Sequence, residues 1–545
     1  MITTCLTPFL EGVREHSLVF APIMLLSLVF PIIAAPFARA AYHRRVTRFM
    51  GFRQVRSPPA AWWVRREQRS SRSALAGKMV EAATPDALAS TMRYRLQRIR
   101  RATLVAYITF VVGTGLSVPL HWGAAAEFAL AAAALGIGPA LVNATPRTLP
   151  RSLTVLVIAL LTFSMTFDRI APSTFSMTFD RFKDLASIVV AFGLVFAYYL
   201  IGTNRTLRAL YVPLFFIGFG ALAGLVAAAI LIQGLQRCFA PFIDVSNTNA
   251  IKQIIGGGLA VLLIGFIALG IWIANRLIAS LARLYERGWI SDISLVFLFG
   301  MALTAALACF WPDREDVALA PMVAAYLIWV ALTIGAYIVV LRASPWPAGA
   351  CSLLVLRVFS PNRRSDRLLD QVQTGWRYAG PVLQIGGPDL ARLNINPYEF
   401  ELFLGMRTHQ LFLPGEVTKD RLLSGLDLAP DREGRFRIAE VFCFDSAWRS
   451  TVQTLIETSD AILLDLRGFG PQRAGTGFEL EQLASLGRLD RTVVVGDATT
   501  DWSYFETLAG SEAKTIARLD AQGPNLVDSC IAALLRRGVR PPHAR

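Results

Sequence analysis

Charge is what this sequence has least of. Asp, Glu, Lys and Arg make up 17% of its 545 residues, where soluble globular chains carry about 25%. Long apolar runs fill the deficit, and the mean hydropathy is +0.47. A wholly water-soluble globular chain is thereby excluded, and the sequence reads first as a membrane protein. Histidine is scarce too: the five His residues do not cluster, which leaves no zinc site. The six cysteines, at 5, 238, 309, 351, 443 and 530, form no CxxC and no Cys/His pair at metal-ligand spacing. They read as small apolar fillers in a reducing setting, and no metal site is expected.

What charge there is lies unevenly. Residues 1–344 hold 31 basic against 15 acidic groups, and 345–545 hold 23 against 24. The segment 41–101 alone carries 15 basic and 3 acidic residues. A pI near 10 therefore reports one basic loop that sets topology and meets anionic lipid. It is not the footprint of a nucleic-acid-binding protein, and no nucleic acid is expected as partner.

The first 344 residues read as an α-helical multi-pass membrane domain. About nine segments are apolar enough to span, at 18–40, 102–119, 124–143, 152–167, 185–203, 209–234, 255–279, 291–311 and 319–341. The loops 41–101, 144–151, 203–208 and 276–290 hold 22 basic residues against seven on the opposite side. The positive-inside rule then puts the N-terminus outside and the C-terminal domain in the cytoplasm, at the inner membrane. The span cores lack ionisable groups, and Glu127 and Asp292 fall at segment ends, where water is expected to reach them. Gly220 and Gly224 form a GxxxG that predicts close helix packing. Residues 84–101 carry Leu88, Met92, Leu96 and Ile99 on one face and arginines on the other. That pattern fits a helix lying on the membrane or a cytoplasmic extension of the second span; Thr84 is its expected N-cap. A short repeat, TFSMTFDR, occurs at 162–169 and 174–181 and reads as a local duplication.

From 345 the pattern changes to apolar strands alternating with helices. Strands are expected at 352–360, 381–387, 461–469, 492–497 and 515–519, and helices at 362–376, 445–460, 475–487, 502–509 and 525–537. Residues 388–440 are an insertion with a turn at 431–434. Continuous apolar strands separated by helices imply a three-layer α/β domain on a parallel sheet. Ligands of such sheets bind beyond the carboxyl ends of the strands. That rule selects Ser360, Arg363, Arg364, Gly386, Gly387, Asp389, Asp465, Arg467, Glu479 and Asp497.

The residues VFSPNRRSDRLLDQV, and the run from Trp448 through SDAILLDL to GTGFEL, resemble Toll/interleukin-1 receptor (TIR) domains. The pattern of GT, an aromatic and Glu is also similar to nucleoside 2-deoxyribosyltransferases. The resemblance covers about 150 residues. It implies a flavodoxin-like fold, NAD or a related nucleotide as substrate, cleavage of its N-glycosidic bond, a role in stress or defence, and Glu479 as the catalytic residue. A carboxylate beside the ribose can stabilise an oxocarbenium-like state, and Arg363, Arg364 and Arg467 can hold phosphates. Gly477-Phe478 stands where TIR domains carry Trp-Cys. Against catalysis, Thr476 and Glu479 have the spacing of a capping box, S/T-x-x-E, which would satisfy Glu479 without any substrate. The alternative function is a non-enzymatic membrane scaffold or sensor whose α/β domain binds a nucleotide or a protein. A homo-oligomer is compatible with either.

Overall fold

The computed structural model describes residues 17–50, 84–117, 205–239, 249–296, 319–343, 350–358, 363–387, 395–413, 422, 425–426, 428–523 and 525–538. They fall into two compact units. One comprises Met1–Ala40, Thr103–Ile338 and Ile395–Glu401, the other Ala41–Ala102, Val339–Asn394 and Leu402–Arg545.

The first unit is helical. Its described helices are α1 (Ser17–Met50), α2 (Pro85–Ser117), α3 (Arg205–Phe239), α4 (Asn249–Glu286) and α5 (Leu319–Arg342); α1, α2 and α5 each run into the other unit's residues. Each helix overlaps one of the nine expected spans. By length and composition two stretches among the described residues are candidate spans, Arg208–Ala229 and Gly258–Glu286, and Ile328–Arg342 is a shorter apolar helix. The expected spans 124–143, 152–167 and 185–203, most of 291–311 and the TFSMTFDR repeat lie outside the described residues.

Helices α3 and α4 pack through their glycines, as the GxxxG predicts. A Cβ on Gly220 would sit 2.5 Å from the Gly270 carbonyl oxygen, and one on Gly224 would press on the Phe266 carbonyl. Only hydrogen fits where two helix backbones approach this closely. The start of α3 is tied to its neighbours by charge. Arg208 Nη1 lies 3.7 Å from Asp292 Oδ2, and Tyr285 donates its hydroxyl to Asp292 Oδ1 at 2.9 Å. Asp292 is not at a wet segment end as expected. It is buried, because Tyr285 at the end of α4 and Arg208 at the start of α3 close over it.

The second unit is α/β. Its elements are β1 (Leu353–Arg357), α6 (Arg363–Trp376), β2 (Val382–Ile385), the end of α7 (Pro397–Leu404), which starts among the first unit's residues, β3 (Ile438–Val441), α8 (Trp448–Thr458), β4 (Ala461–Asp465), α9 (Ala474–Ser485), β5 (Thr492–Gly496), α10 (Trp502–Ala509), β6 (Ala517–Asp520) and α11 (Leu526–Gly538). The six strands form one sheet in the order β3-β2-β1-β4-β5-β6, and every pair is parallel. Without β3 the order by sequence is 2-1-3-4-5, the flavodoxin-like arrangement. The insertion supplies the sixth strand at the β2 edge, where no strand was expected. Ile438-Ala-Glu-Val is too short and too interrupted by Glu440 to signal itself.

Alternation along the strands builds a core on each face. Leu354, Leu356, Leu383, Ile462, Leu464 and Val494 pack with α8, α9 and α10. Leu353, Val355, Val382, Leu463, Val493 and Val495 pack with α6 and α11. The helices meet the sheet through stripes at helical spacing, such as Leu368, Leu369, Val372 and Trp376 on α6. Cys351, Cys443 and Cys530 are free and buried, as fillers should be.

The segment 84–101 proves to be the extension of the second expected span, one continuous helix from Pro85 to Ser117. Thr84 caps it, accepting from the Ala87 amide at 3.2 Å. Its apolar face is covered by protein at its start: Leu88 is buried in the α6/α11 core, with Ala89 and Met92 packed against it. Nor are its arginines all on the wet face. Arg95 is buried, donates to the Tyr378 carbonyl at 2.9 Å and lies 5.0 Å over the Phe436 ring. Burial lowers its pKa to about 10.

Candidate functional site

The chain leaves β1 and β4 in opposite directions. After β1 it enters α6, which belongs to one face of the sheet, and after β4 it enters α9, which belongs to the other. Adjacent parallel strands whose connections diverge open a crevice at their carboxyl ends, and that is where ligands of such sheets bind.

A row of polar side chains runs along the α6/α11 face towards this crevice. Glu440, Gln384, Arg357 and Asp465 stand in β3, β2, β1 and β4 at positions that alternate onto that face. Arg357 is the register partner of Asp465, Gln384 of Glu440. Gln373 of α6 donates to Gln384 Oε1 at 2.6 Å, and Gln384 donates to Glu440 Oε1 at 2.8 Å. Arg357, Gln373, Gln384 and Asp465 are all buried. Charged and amide groups in the middle of buried strands cost stability unless they are paired or serve a ligand.

Arg467 completes the row. Its Nε and Nη2 clasp Asp465 Oδ1 and Oδ2 at 2.8 and 2.6 Å, a bidentate pair. Burial works against the Arg467 charge, the Asp465 carboxylate works for it, and the net shift of its pKa is upward. The next residue, Gly468, has φ +75°, a backbone that glycine adopts without strain. The turn lets the Gly468 amide donate to Thr499 Oγ1 at 2.9 Å, while Thr499 donates to Asp497 Oδ1 from its amide at 2.9 Å and its hydroxyl at 2.5 Å. The loops after β4 and β5 are thus locked together, with Asp497 in the lock.

Of the residues expected at the site, Asp465, Arg467 and Asp497 lie together at these strand ends. Gly386 and Gly387 end β2. A Cβ on Gly386 would meet the Phe442 ring at 2.7 Å, so that glycine serves packing. Arg363 and Arg364 open α6. Ser360 and Asp389 lie outside the described residues. Arg357, Gln373, Gln384 and Glu440 were not anticipated. For Arg357, Gln384 and Glu440 the one sequence signal is a polar residue in an apolar strand, and for Gln373 there is none; they become a row only once the register and the covering helix are known. Among the described residues no group of three or more His, Cys, Asp or Glu could hold a metal ion.

Glu479 is set apart from this row. Helix α9 begins at Ala474 with Arg473 as N-cap and no side-chain cap bond. Thr476 is therefore inside the first turn, and the capping box does not form. Thr476, Glu479, Leu480 and Leu483 make the buried stripe of α9, on the face opposite to Asp465 and Arg467. Glu479 is 2% exposed, and its Oε2 has no hydrogen-bond partner. Desolvation alone raises its pKa to about 8, so the carboxyl is mostly neutral at pH 7.

Beside it the aromatics pair off. Trp448 and Phe478 have ring centroids 5.3 Å apart, Arg449 lies 5.3 Å over Phe478, and Phe469 stacks on Tyr504 at 5.5 Å. Comparison of the chain with protein-family models, with curated proteins and with solved structures finds no match.

Proposed function

We infer that this is a membrane-embedded protein whose α/β unit binds a nucleotide, or a similar phosphate-bearing ligand, in the crevice between β1 and β4. The observation that carries the reading is the row of buried Arg357 and Asp465 with part-buried Arg467, at the ends of the adjacent strands β1 and β4, whose following helices lie on opposite faces of the sheet. Arginines there suit phosphate oxygens and a carboxylate suits a ribose diol. The bilayer reading, with about nine spans, the N-terminus outside and the α/β unit in the cytoplasm at the inner membrane, rests on the apolar runs and on the basic loops. The apolar side chains left exposed on α1, α2, α4 and α5 support it, including Phe37 at 73% and Val261 at 71%. Anionic lipid at 41–101 follows from the same charge asymmetry.

A second reading, cleavage of the N-glycosidic bond of NAD or a related nucleotide by a TIR-like domain, is favoured by Glu479. It does not cap its helix, and it stands at the position the resemblance marks. A neutral, sealed carboxyl cannot stabilise an oxocarbenium ion, so binding without cleavage is the function the observed state serves.

Equilibrium binding of labelled NAD and ATP to the full chain in detergent tests the first reading. Micromolar or tighter binding that Arg467→Ala weakens by about tenfold or more, as loss of a charged hydrogen bond predicts, is the expected outcome. Binding of neither nucleotide, or binding indifferent to Arg467, overturns it. NAD consumption by the same preparation, lost in Glu479→Gln, would promote the second.

A further inference from the structure

The first turn of α9 is weakly built for a helix packed on a core. It reads Ala474-Gly-Thr-Gly477, and no side chain caps it. Each glycine costs about 1 kcal/mol against alanine inside a helix. Neither has a positive φ. Neither is needed for close packing: a Cβ on Gly475 would lie 3.8 Å from the Trp448 ring, and one on Gly477 3.6 Å from the Tyr504 hydroxyl and 3.7 Å from Leu508. These are ordinary contacts, so alanine fits at both positions, and the closed structure gives no reason for glycine. The loop that feeds the turn has Gly468 and Gly470 of its own.

In the next turn of the same helix stands Glu479, whose side chain, like every helical side chain, is tilted back towards the helix N-terminus; it is buried, and one of its oxygens has no hydrogen-bond partner. An unsatisfied buried carboxyl opposes the closed packing, because water would solvate it on exposure. A loosely made turn and a group that gains from exposure stand one helical turn apart. The aromatic pairs Trp448–Phe478 and Phe469–Tyr504 flank the turn and would be its latch.

We propose that residues 474–477 are a hinged cover, which unwinds while the rest of α9 stays packed and so uncovers Glu479 to ligand at the carboxyl end of β4. Glu479 is then a latent ligand-contacting group, silent in the closed state. The inference concerns access and is independent of which nucleotide binds.

Hydrogen–deuterium exchange on the full chain in detergent, without nucleotide, tests it. The amides of 477–480 should exchange at least tenfold faster than those of 482–485. The double variant Gly475→Ala/Gly477→Ala should slow 477–480 by tenfold or more and leave 482–485 unchanged. A carbodiimide with an amine nucleophile, read by mass spectrometry, should label Glu479 slowly in the parent chain and several-fold more slowly in the double variant. Equal protection at 477–480 and 482–485 in the parent, or exchange and labelling indifferent to the two alanines, overturns the proposal. A chain that opens in this way but binds no nucleotide keeps the hinged cover and loses the nucleotide reading, so the two fail separately.

Discussion

The two units treat apolar surface in opposite ways. In the α/β unit the strands bury almost every large apolar side chain; among the described residues from 350 onward only Leu404 and Met406 remain as exposed large hydrophobics. The long helices leave such side chains facing outward along their length, from Leu26 on α1 to Val339 on α5. The same physical drive explains both if the solvent differs. Where water surrounds the chain, apolar groups turn inward; where lipid does, an outward Ile or Phe costs nothing, and close backbone contact through Gly220, Gly224 and Gly270 holds the helices instead. Buried charge follows the same division. The helical unit keeps Asp292 with Arg208 and Tyr285. The α/β unit pairs Asp465 with Arg467 but leaves Glu479 with only its own neutrality.

That last contrast yields the largest expected effect. The Glu479 carboxyl binds its proton with a pKa of about 8 when folded, against 4.5 ordinarily. The folded chain therefore holds more protons than the unfolded one between those values, and stability falls as pH rises through that window. It is flat below about pH 4.5 and above about pH 8. At about 1.4 kcal/mol per unit the whole effect is on the order of 5 kcal/mol. Thermal melting of the α/β unit, followed in the full chain, should decline across pH 5–8, and Glu479→Gln should flatten the decline and raise the melting temperature at pH 8. An identical pH profile in the variant would place Glu479 in contact with water.

The helical unit should answer differently to loss of a partner. Arg208→Ala strands the buried Asp292 carboxylate and should cost about 3–5 kcal/mol, read as a lower melting temperature in detergent. Arg208→Ala combined with Asp292→Asn should recover most of that loss. The comparison of solvents itself is sharpened by Ile264, 66% exposed on α4. Ile264→Arg should cost about 2.5–3.5 kcal/mol of insertion and reduce the carbonate-resistant membrane fraction. In water the same change would be nearly neutral. The smallest effect is expected at the strand row. Gln384→Leu should break the Gln373–Gln384–Glu440 chain, cost about 1–3 kcal/mol and weaken nucleotide binding less than Arg467→Ala does.

The strands β1, β4 and β5 were legible as apolar runs bounded by polar or glycine residues, β2 as a short apolar run closed by Gly386-Gly387 despite Gln384, and the helices between them because their apolar residues recur at three and four. β3 was not, since Ile438-Ala-Glu-Val is stabilised by its place beside β2 rather than by its own composition. The helix start at 474 was misread for a similar reason. Thr476 and Glu479 have capping spacing, but the chain already turns helical at Ala474, and the local pattern cannot weigh that against the packing of Leu480 and Leu483. The stripe of Leu88 and Met92 announced an amphipathic helix and could not say whether lipid or protein would cover it.

By itself the sequence determined the parallel α/β class of the C-terminal part, because hydropathy and its period are local properties of the chain; that 41–102 groups with that part, and 395–401 does not, was not written in it. Only the tertiary structure decided that Arg357 stands beside Asp465, that Arg467 clasps it, that Asp292 is buried, and that Glu479 faces the opposite core with nothing bonded to one oxygen. Those facts depend on strand register and on which helix covers which face. Both are set by contacts between residues about a hundred positions apart or more, such as Arg357 with Asp465 and Cys351 with Gly538, which no local pattern encodes.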